Sequence, residues 1–343
     1  METATHNIRF AQYKDIENIL EFIQKYWKSN HIFVKSPEFF KYQHSDHDRI
    51  NFVIAGNDKV ETIDAVLGFI KYSDEIHPDV CLALWKVAKR NDNPVLGLQL
   101  LEFIKEALQP RSISCCDITE GLLSVCKYLG YETGKLKHYY LLNDQLEKYT
   151  IARIPNQYSV RRGVNNKKNY LLINIPSFHE LKTIFHFERY NKRMPYKDEW
   201  YIKKRYFEHP AYNYLTYGIK KGEEIESILI MREIVVNNSR ILRIVDFIGI
   251  DDDLLGIANE LCRIIYKYHY EYIDFYLHGI DSKILSNAGF ALKDISKEIV
   301  IPNHFEPFEQ KNCDIYFFAS QQNNFYMFKA DGDQDRPNVL MNN

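Results

Sequence analysis

His31 and His44 bracket a polar, aromatic stretch, Asn30-His-Ile-Phe-Val-Lys-Ser-Pro-Glu-Phe-Phe-Lys-Tyr-Gln-His44. An imidazole titrates near neutrality, so either histidine can take a proton from an attacking amine; either can equally be a surface or a satisfied core residue. In the same stretch Lys35 can meet a phosphate, and Phe40 or Tyr42 can stack on a base. A second group of charges interrupts apolar, strand-like runs: Arg232-Glu233, Arg243, Asp246, and Asp274 within Tyr272-Ile-Asp-Phe-Tyr276. A buried carboxylate in such a run needs a partner. These residues are therefore either an ion-pair network within a sheet or a polar cleft wall that contacts hydroxyls or phosphate, with Asp274 a further catalytic candidate.

The third group closes the chain: Asp331-Gly-Asp-Gln-Asp-Arg-Pro-Asn338. A calcium loop would need Gly where Arg336 stands and a later Glu that is absent. The six cysteines, Cys81, Cys115, Cys116, Cys126, Cys262 and Cys313, form no CxxC pair, so no metal is expected and the thiols are read as reduced and buried. Asp333, Asp335, Arg336 and Asn338 are then either a solvated tail or a turn that docks on a cleft, with Arg336 available to a phosphate.

One helix start has the chemistry of an anion site. The run Asp79-Val-Cys-Leu-Ala-Leu-Trp-Lys-Val87 reads as a strand, and Val95-Leu-Gly-Leu98 opens a helix that Pro110 ends. Free N–H groups and the helix dipole favour a pyrophosphate there, and Gly97 permits close approach; a tight turn in an ordinary strand–helix unit is the plainer alternative. The corresponding connection later in the chain, Gly249-Ile-Asp-Asp-Asp-Leu254, is acidic and would repel a pyrophosphate.

These groups sit on elements whose order occurs twice: a strand, a helix, strands, then two strand–helix steps ending in Gly130-Tyr131 and again in Gly289-Phe290. The first helix carries Ile16, Ile19, Leu20, Phe22 and Ile23 on one face. Asn30 to His44 reads as a loop, and His138-Tyr-Tyr-Leu-Leu-Asn143 as the strand that closes the first copy. Residues 1–147 are expected to form one domain, 148–168 a linker containing Arg161-Arg162 and Lys167-Lys168, and 169–343 a second domain with its tail. A length of 343 residues fits two domains. Balanced charge, 44 basic against 46 acidic residues, argues against a nucleic-acid partner. No run approaches the ~18 apolar residues of a membrane span, and the first residues lack a leader's apolar core, so a cytoplasmic protein is expected.

A strand and helix joined by a short loop, a further strand, a helix ending in Tyr-Leu-Gly-Tyr and a closing strand resemble the GNAT acyltransferases. Further strings, notably Phe40-Lys-Tyr-Gln-His44, His209-Pro-Ala-Tyr-Asn-Tyr214, Arg243-Ile-Val-Asp246, Glu271-Tyr-Ile-Asp-Phe-Tyr276, Pro302-Asn-His-Phe-Glu-Pro-Phe308 and the Asp331–Asn338 string, resemble tandem-domain acyltransferases of bacterial surface-polysaccharide pathways over essentially the whole chain. The resemblance implies an α/β (α+β) architecture of two tandem GNAT-like domains, each a mixed, mostly antiparallel sheet flanked by helices. It implies acyl-coenzyme A as co-substrate. Leu84, Trp85, Lys86 and Val87 would pair with the pantetheine arm, and Val95, Leu96, Gly97 and Leu98 would hold the pyrophosphate. It implies an acceptor, a dTDP-linked 3-amino-3,6-dideoxyhexose, contacted by Lys35, Phe40, Tyr42, Gln43, Arg232, Glu233, Arg243, Asp246, Tyr272, Asp333, Asp335, Arg336 and Asn338. The transferred acyl group would be 3-hydroxybutyryl or acetyl, by direct attack of the amine, with His31, His44 or Asp274 as base. The family's loop keeps only Gly97 of its glycines here, and Cys126 and Leu285 stand where its Tyr general acid is usual. Two rivals use the same architecture: an aminoacyl-tRNA-dependent peptidoglycan transferase, and a degenerate module that only binds a nucleotide-sugar. Oligomeric state is left open by the sequence.

Overall fold

The computed structural model describes residues 7–57, 62–155, 169–294, 296 and 298–338. Most of the expected linker, residues 156–168 with its Arg161-Arg162 and Lys167-Lys168 pairs, lies outside the described residues, as do 339–343.

The first half contributes β1 (Asn7–Ala11), α1 (Ile16–Tyr26), α2 (Ile32–Lys35), α3 (Pro37–His44), β2 (Ser45–Asp46), β3 (Arg49–Asn57), β4 (Thr62–Lys71), β5 (Val80–Val87), α4 (Leu96–Leu108), β6 (Ile113–Cys116), α5 (Glu120–Tyr128) and β7 (Glu132–Lys135). After β8 (Lys137–Leu142) the second half adds β9 (Leu171–Asn174), α6 (Phe178–Ile184), α7 (Glu199–Ile202), β10 (Tyr214–Lys221), β11 (Glu224–Val236), β12 (Ser239–Ile248), α8 (Ala258–Tyr268), β13 (Tyr272–His278), α9 (Ser282–Asn287), β14 (Ala291–Leu292), β15 (Tyr316–Ala319) and β16 (Met327–Phe328). None of these helices is long and apolar enough to cross a membrane.

The strands form two mixed, mostly antiparallel sheets. One runs β1-β3-β4-β5-β6-β15-β7, the other β14-β8-β13-β12-β11-β10-β9. The two orders match position for position, which gives physical content to the repeat read from sequence. Each half also lends a strand to the other. The run expected to close the first copy is β8, and it pairs with β13 and β14 of the second sheet. In return β15 pairs with both β6 and β7 of the first. Both strands are apolar on both faces, as an interior strand must be: Tyr139 and Leu141 enter one core cluster while Tyr140 and Leu142 enter another.

Alternation along β5 explains how the first sheet holds two layers apart. Leu84 and Ala88 pack with Ile19, Phe22 and Phe40 beneath α1 to α3, while Trp85 and Val87 face the cluster under α4. The expected loop from Asn30 to His44 is instead α2 and α3. His31 caps α2 by accepting the Phe33 N–H at 3.3 Å, and Ser36 caps α3 by accepting the Phe39 N–H at 3.2 Å, with Pro37 following. A further core cluster joins the halves: Tyr72 and Cys81 of the first pack against Tyr201, Tyr206, Val245 and Ala330.

Candidate active site

Each sheet has one parallel pair, and there it splits. β5 and β6 are in register only from Val80↔Ile113 to Leu82↔Cys115; β6 then stops at Cys116 while β5 continues to Val87. Trp85 to Val87 keep β4 on one side, Leu84 sits at a register shift, and none of the four has a β6 partner, which opens a wedge. The mouth of that wedge meets α4, whose thirteen residues start without a capping side chain and without an acid in the first turn. A Cβ on Gly97 would lie 3.2 Å from the Trp85 Nε1, so the missing side chain lets the indole rest against the helix start. The two runs expected to hold coenzyme A, Leu84-Trp-Lys-Val87 and Val95-Leu-Gly-Leu98, therefore converge on one opening. An extended amide arm ending in a pyrophosphate would need there what the two runs offer, a strand edge without a β6 partner and a helix start without a capping side chain.

The second wedge is filled by the chain itself. β12 and β13 are in register from Leu242↔Ile273 to Ile244↔Phe275, after which β16 pairs with β13 at Leu277↔Phe328 and the Ala330 N–H donates to the Val245 carbonyl at 2.9 Å. Farther out, Arg193 lies 3.9 Å from the Tyr326 ring centroid and is ion-paired with Asp251. The acidic connection is thereby tied into the protein, and the half that keeps an open wedge is the first.

Beyond β16 the chain threads between the halves. The buried Lys197 ammonium sits 2.6 Å from Asp331 and 2.7 Å from Asp246, which also accepts the Tyr206 hydroxyl. Gly332 has a φ of +62° and passes Cys81 so closely that a Cβ would lie 2.8 Å from its Sγ. Asp335 is gripped by Arg232 through contacts of 2.7 to 3.2 Å and by the Tyr214 hydroxyl at 2.9 Å; the guanidinium holds its carboxyl far below the ordinary range despite burial. Of the alternatives open in the sequence, the string is a docked turn.

That turn walls a polar cavity of about 140 Å³ at the junction of the sheets. Arg232, Arg243, Asp333, Asp335, Arg336 and Asn338, all singled out from sequence, line it. So do Asp117, His304, Glu306 and Lys329, which were not. Asp117 follows β6 directly with φ of 61°, so the cavity opens beside the end of the strand that bounds the wedge. Gln334 ties the turn to the same place by donating to the Cys116 carbonyl at 3.4 Å. Most charges here are paired: Arg336 donates to Asp333 at 3.0 Å, and Glu306 accepts from Tyr212 and the Asn338 N–H, both at 3.0 Å. Lys329 differs. Its ammonium donates to the Gln334 carbonyl at 3.3 Å, makes no ion pair among the described residues, and is pushed below its usual pKa by burial and by Arg243.

The other predicted residues lie elsewhere. Asp274 is fully buried between Arg243, at 2.6 to 3.2 Å, and His138 Nε2 at 3.0 Å. Arg243 spends its remaining N–H groups on Pro302 and Asn303. Of the two readings of Asp274, the structure shows the ion-pair network. His44 is wholly enclosed, with Nδ1 donating to the Phe69 carbonyl at 3.2 Å, and burial lowers its pKa to about 3. His31 uses Nδ1 as the cap of α2 and falls to about 4 for the same reason. Both rings are thus neutral and already engaged. Phe40 and Tyr272 are core residues, Lys35 is exposed, and Glu233 faces away from Arg232, accepting from Tyr270 at 2.7 Å. Tyr42 donates to the Lys204 carbonyl at 2.6 Å and, with Gln43, lines a separate pocket. His304 is the histidine of the cavity. It is solvent-reachable, and burial together with Lys329 holds it below the usual 6.5. Its signal in the sequence was a lone imidazole in a proline-flanked string.

No protein-family model and no curated protein sequence matches the chain. Solved structures do, among them two that cover most of this chain. One is a GCN5-related N-acetyltransferase from Anabaena variabilis ATCC 29413, at 12% identity and a TM-score of 0.55, covering 92% of this chain and 72% of that one. The other is a conserved protein of unknown function from Enterococcus faecalis V583, described as a probable N-acyltransferase, at 10% identity, TM-score 0.55 and the same coverages. The fold is of the GNAT type, built twice.

Proposed function

We propose that the protein is an acyl-coenzyme A-dependent N-acyltransferase, loading its acyl donor into the wedge of the first half. The observation that carries this is the open β5–β6 wedge leading to a polar cavity, when the equivalent wedge of the second half is plugged by β16. The acceptor we propose is the 3-amino group of a dTDP-linked 3-amino-3,6-dideoxyhexose, with 3-hydroxybutyryl or acetyl transferred, as the resemblance of the sequence strings to tandem-domain sugar N-acyltransferases suggests.

The neutral amine attacks the thioester carbon, forming the C–N bond. His304 accepts the amine proton, a role open to an imidazole held neutral at pH 7. Unpaired N–H groups along the β6-facing edge of β5 are the donors available to the tetrahedral oxyanion. Collapse breaks the C–S bond and releases the thiolate, a good leaving group that needs no Tyr acid, which fits Cys126 and Leu285 at those positions. Arg336 and Lys329 supply positive charge to the acceptor's phosphates.

The test is thiol release from acetyl- and 3-hydroxybutyryl-coenzyme A against dTDP- and UDP-linked amino sugars. Release with one 3-amino sugar and a clear acyl preference supports the whole reading. Coenzyme A binding without release overturns the acceptor, and absence of both leaves a binding module. The tRNA-dependent rival finds no helical arm among the described residues, whose longest helix, α4, has thirteen residues.

A further inference from the structure

A second pocket lies on the other side of the docked turn, between α3, β3 and β4 of the first half and α7 with the turn Lys203–Phe207 of the second. The acyl-transfer reading makes no use of it. It is built from polar groups that the protein leaves unanswered. Asn51 is 2% exposed, Tyr201 3%, Arg205 7% and Gln43 9%, and each lines the pocket. Yet Asn51 Oδ1, Tyr201 Oη, Arg205 Nε and Gln43 Oε1 have no hydrogen-bond partner among the described residues. Buried polar atoms are seldom left so, and four around one void point to something that answers them.

The charge around the void gives that something a sign. Lys71, Lys204 and Arg205 line it, and no carboxylate among the described residues does. Lys71 is held from behind by Asp46 and Asp74, both at 3.3 Å. Arg205 spends Nη2 on the carbonyls of Ala330 and Asp335 and keeps Nε free. Lys204 donates only to the Ser45 carbonyl, at 3.3 Å, and both lysines lean over the Trp200 ring, at 5.6 and 5.1 Å from its centroid. Three cations converge from two halves of the molecule, with hydroxyl and guanidinium donors beside them and two amide oxygens to accept from a protonated oxygen.

We propose that this pocket binds a tetrahedral oxyanion, a phosphate group, clamped between the two halves. A phosphate answers both sets of groups: its charged oxygens take Lys204, Arg205 Nε and the Tyr201 hydroxyl, and its P–OH donates to Gln43 or Asn51. The phosphate comes either from free inorganic phosphate or from a nucleotide. The inference goes beyond the acyl-transfer reading and stands or falls without it, because binding is measured with no turnover.

Titration calorimetry of the full chain with inorganic phosphate, at ionic strength held constant with KCl, is the test. Saturable binding is expected, weakened at least tenfold in Lys204→Met and in Asn51→Leu. Lys204 is partly exposed, so its variant retains the wild-type melting temperature within a few degrees and serves if Asn51→Leu fails to fold. No saturable binding, or binding equal to wild type in the folded variants, overturns the proposal. Repeating the titration with dTDP names the source: a parallel loss in Lys204→Met assigns the site to a nucleotide phosphate, and unchanged dTDP binding assigns it to the free anion.

Discussion

Two histidine environments in this protein predict opposite behaviour. His304 works, on our reading, as a neutral base at the rim of the cavity. His304→Ala should lower kcat/KM by ~10²–10⁴ and remove the acid limb of the pH–rate profile, which in the wild type lies below 6.5. His31 and His44 act on stability instead. Their folded pKa values, about 4 and about 3, lie below the 6.5 of a free imidazole. The unfolded chain therefore binds more protons between those values. Their contribution is fully present above pH 6.5 and is lost progressively as the pH falls toward 4 and below. His44→Phe, placed among Phe33, Phe40 and Phe52, should flatten the fall in urea midpoint between pH 6.5 and 4. The residue that sequence reasoning missed, His304, and those it over-read, His31 and His44, are the same amino acid. The difference lies in burial and in which ring nitrogen is already spent, and neither is written in local sequence.

At the scale of the element, the C-terminal turn carries the most structure per residue. Asp335→Asn leaves Arg232 buried without its anion. Breaking such a pair costs ~3–5 kcal/mol, so the urea midpoint should fall while the denaturant slope stays unchanged. Truncation after Tyr326, which deletes β16 and the turn, should abolish thiol release and expose the β12–β13 wedge, measured as a gain in binding of an apolar dye. Legibility differed from element to element for physical reasons. β3, β4 and β5 declare themselves as short apolar runs buried on both faces, and α4 and α8 because each buries one face in step with the helix turn. α2 and α3 were read as a loop because they are short and their aromatic residues are packed almost all round. The Ser36-Pro37-Glu38 start signal was nonetheless present. Within the site, Arg232 and Arg243 are legible because charge in an apolar run is visible in sequence, and Asp335 and Arg336 because their unusual polar string carries the resemblance. Which of them share a cavity was not, since that depends on long-range pairing such as Arg232 with Asp335.

The whole molecule is two sheets that cannot be completed separately. β8 and β15 were each assigned to the half in which they occur along the chain, and each serves the other. Nothing local reveals an exchange, because a strand's own sequence records only that it is buried on both faces. Residues 1–155 and 169–343 made as separate polypeptides should therefore be insoluble or molten alone. Made together they should co-purify as a one-to-one complex, checked by size-exclusion chromatography and near-UV circular dichroism.

The same exchange sets a timetable for the newborn chain. β6 and β7 leave the ribosome early, and β15, which must lie between them, follows roughly 180 residues later. At ~5–20 residues per second that is a wait of roughly 10–40 s, during which the buried-type strand β6 and the more polar β7 offer bare edges to any neighbour. The sheet that β1 opens is thus made well before the strand that completes it, and its middle stays open until β15 arrives to close it.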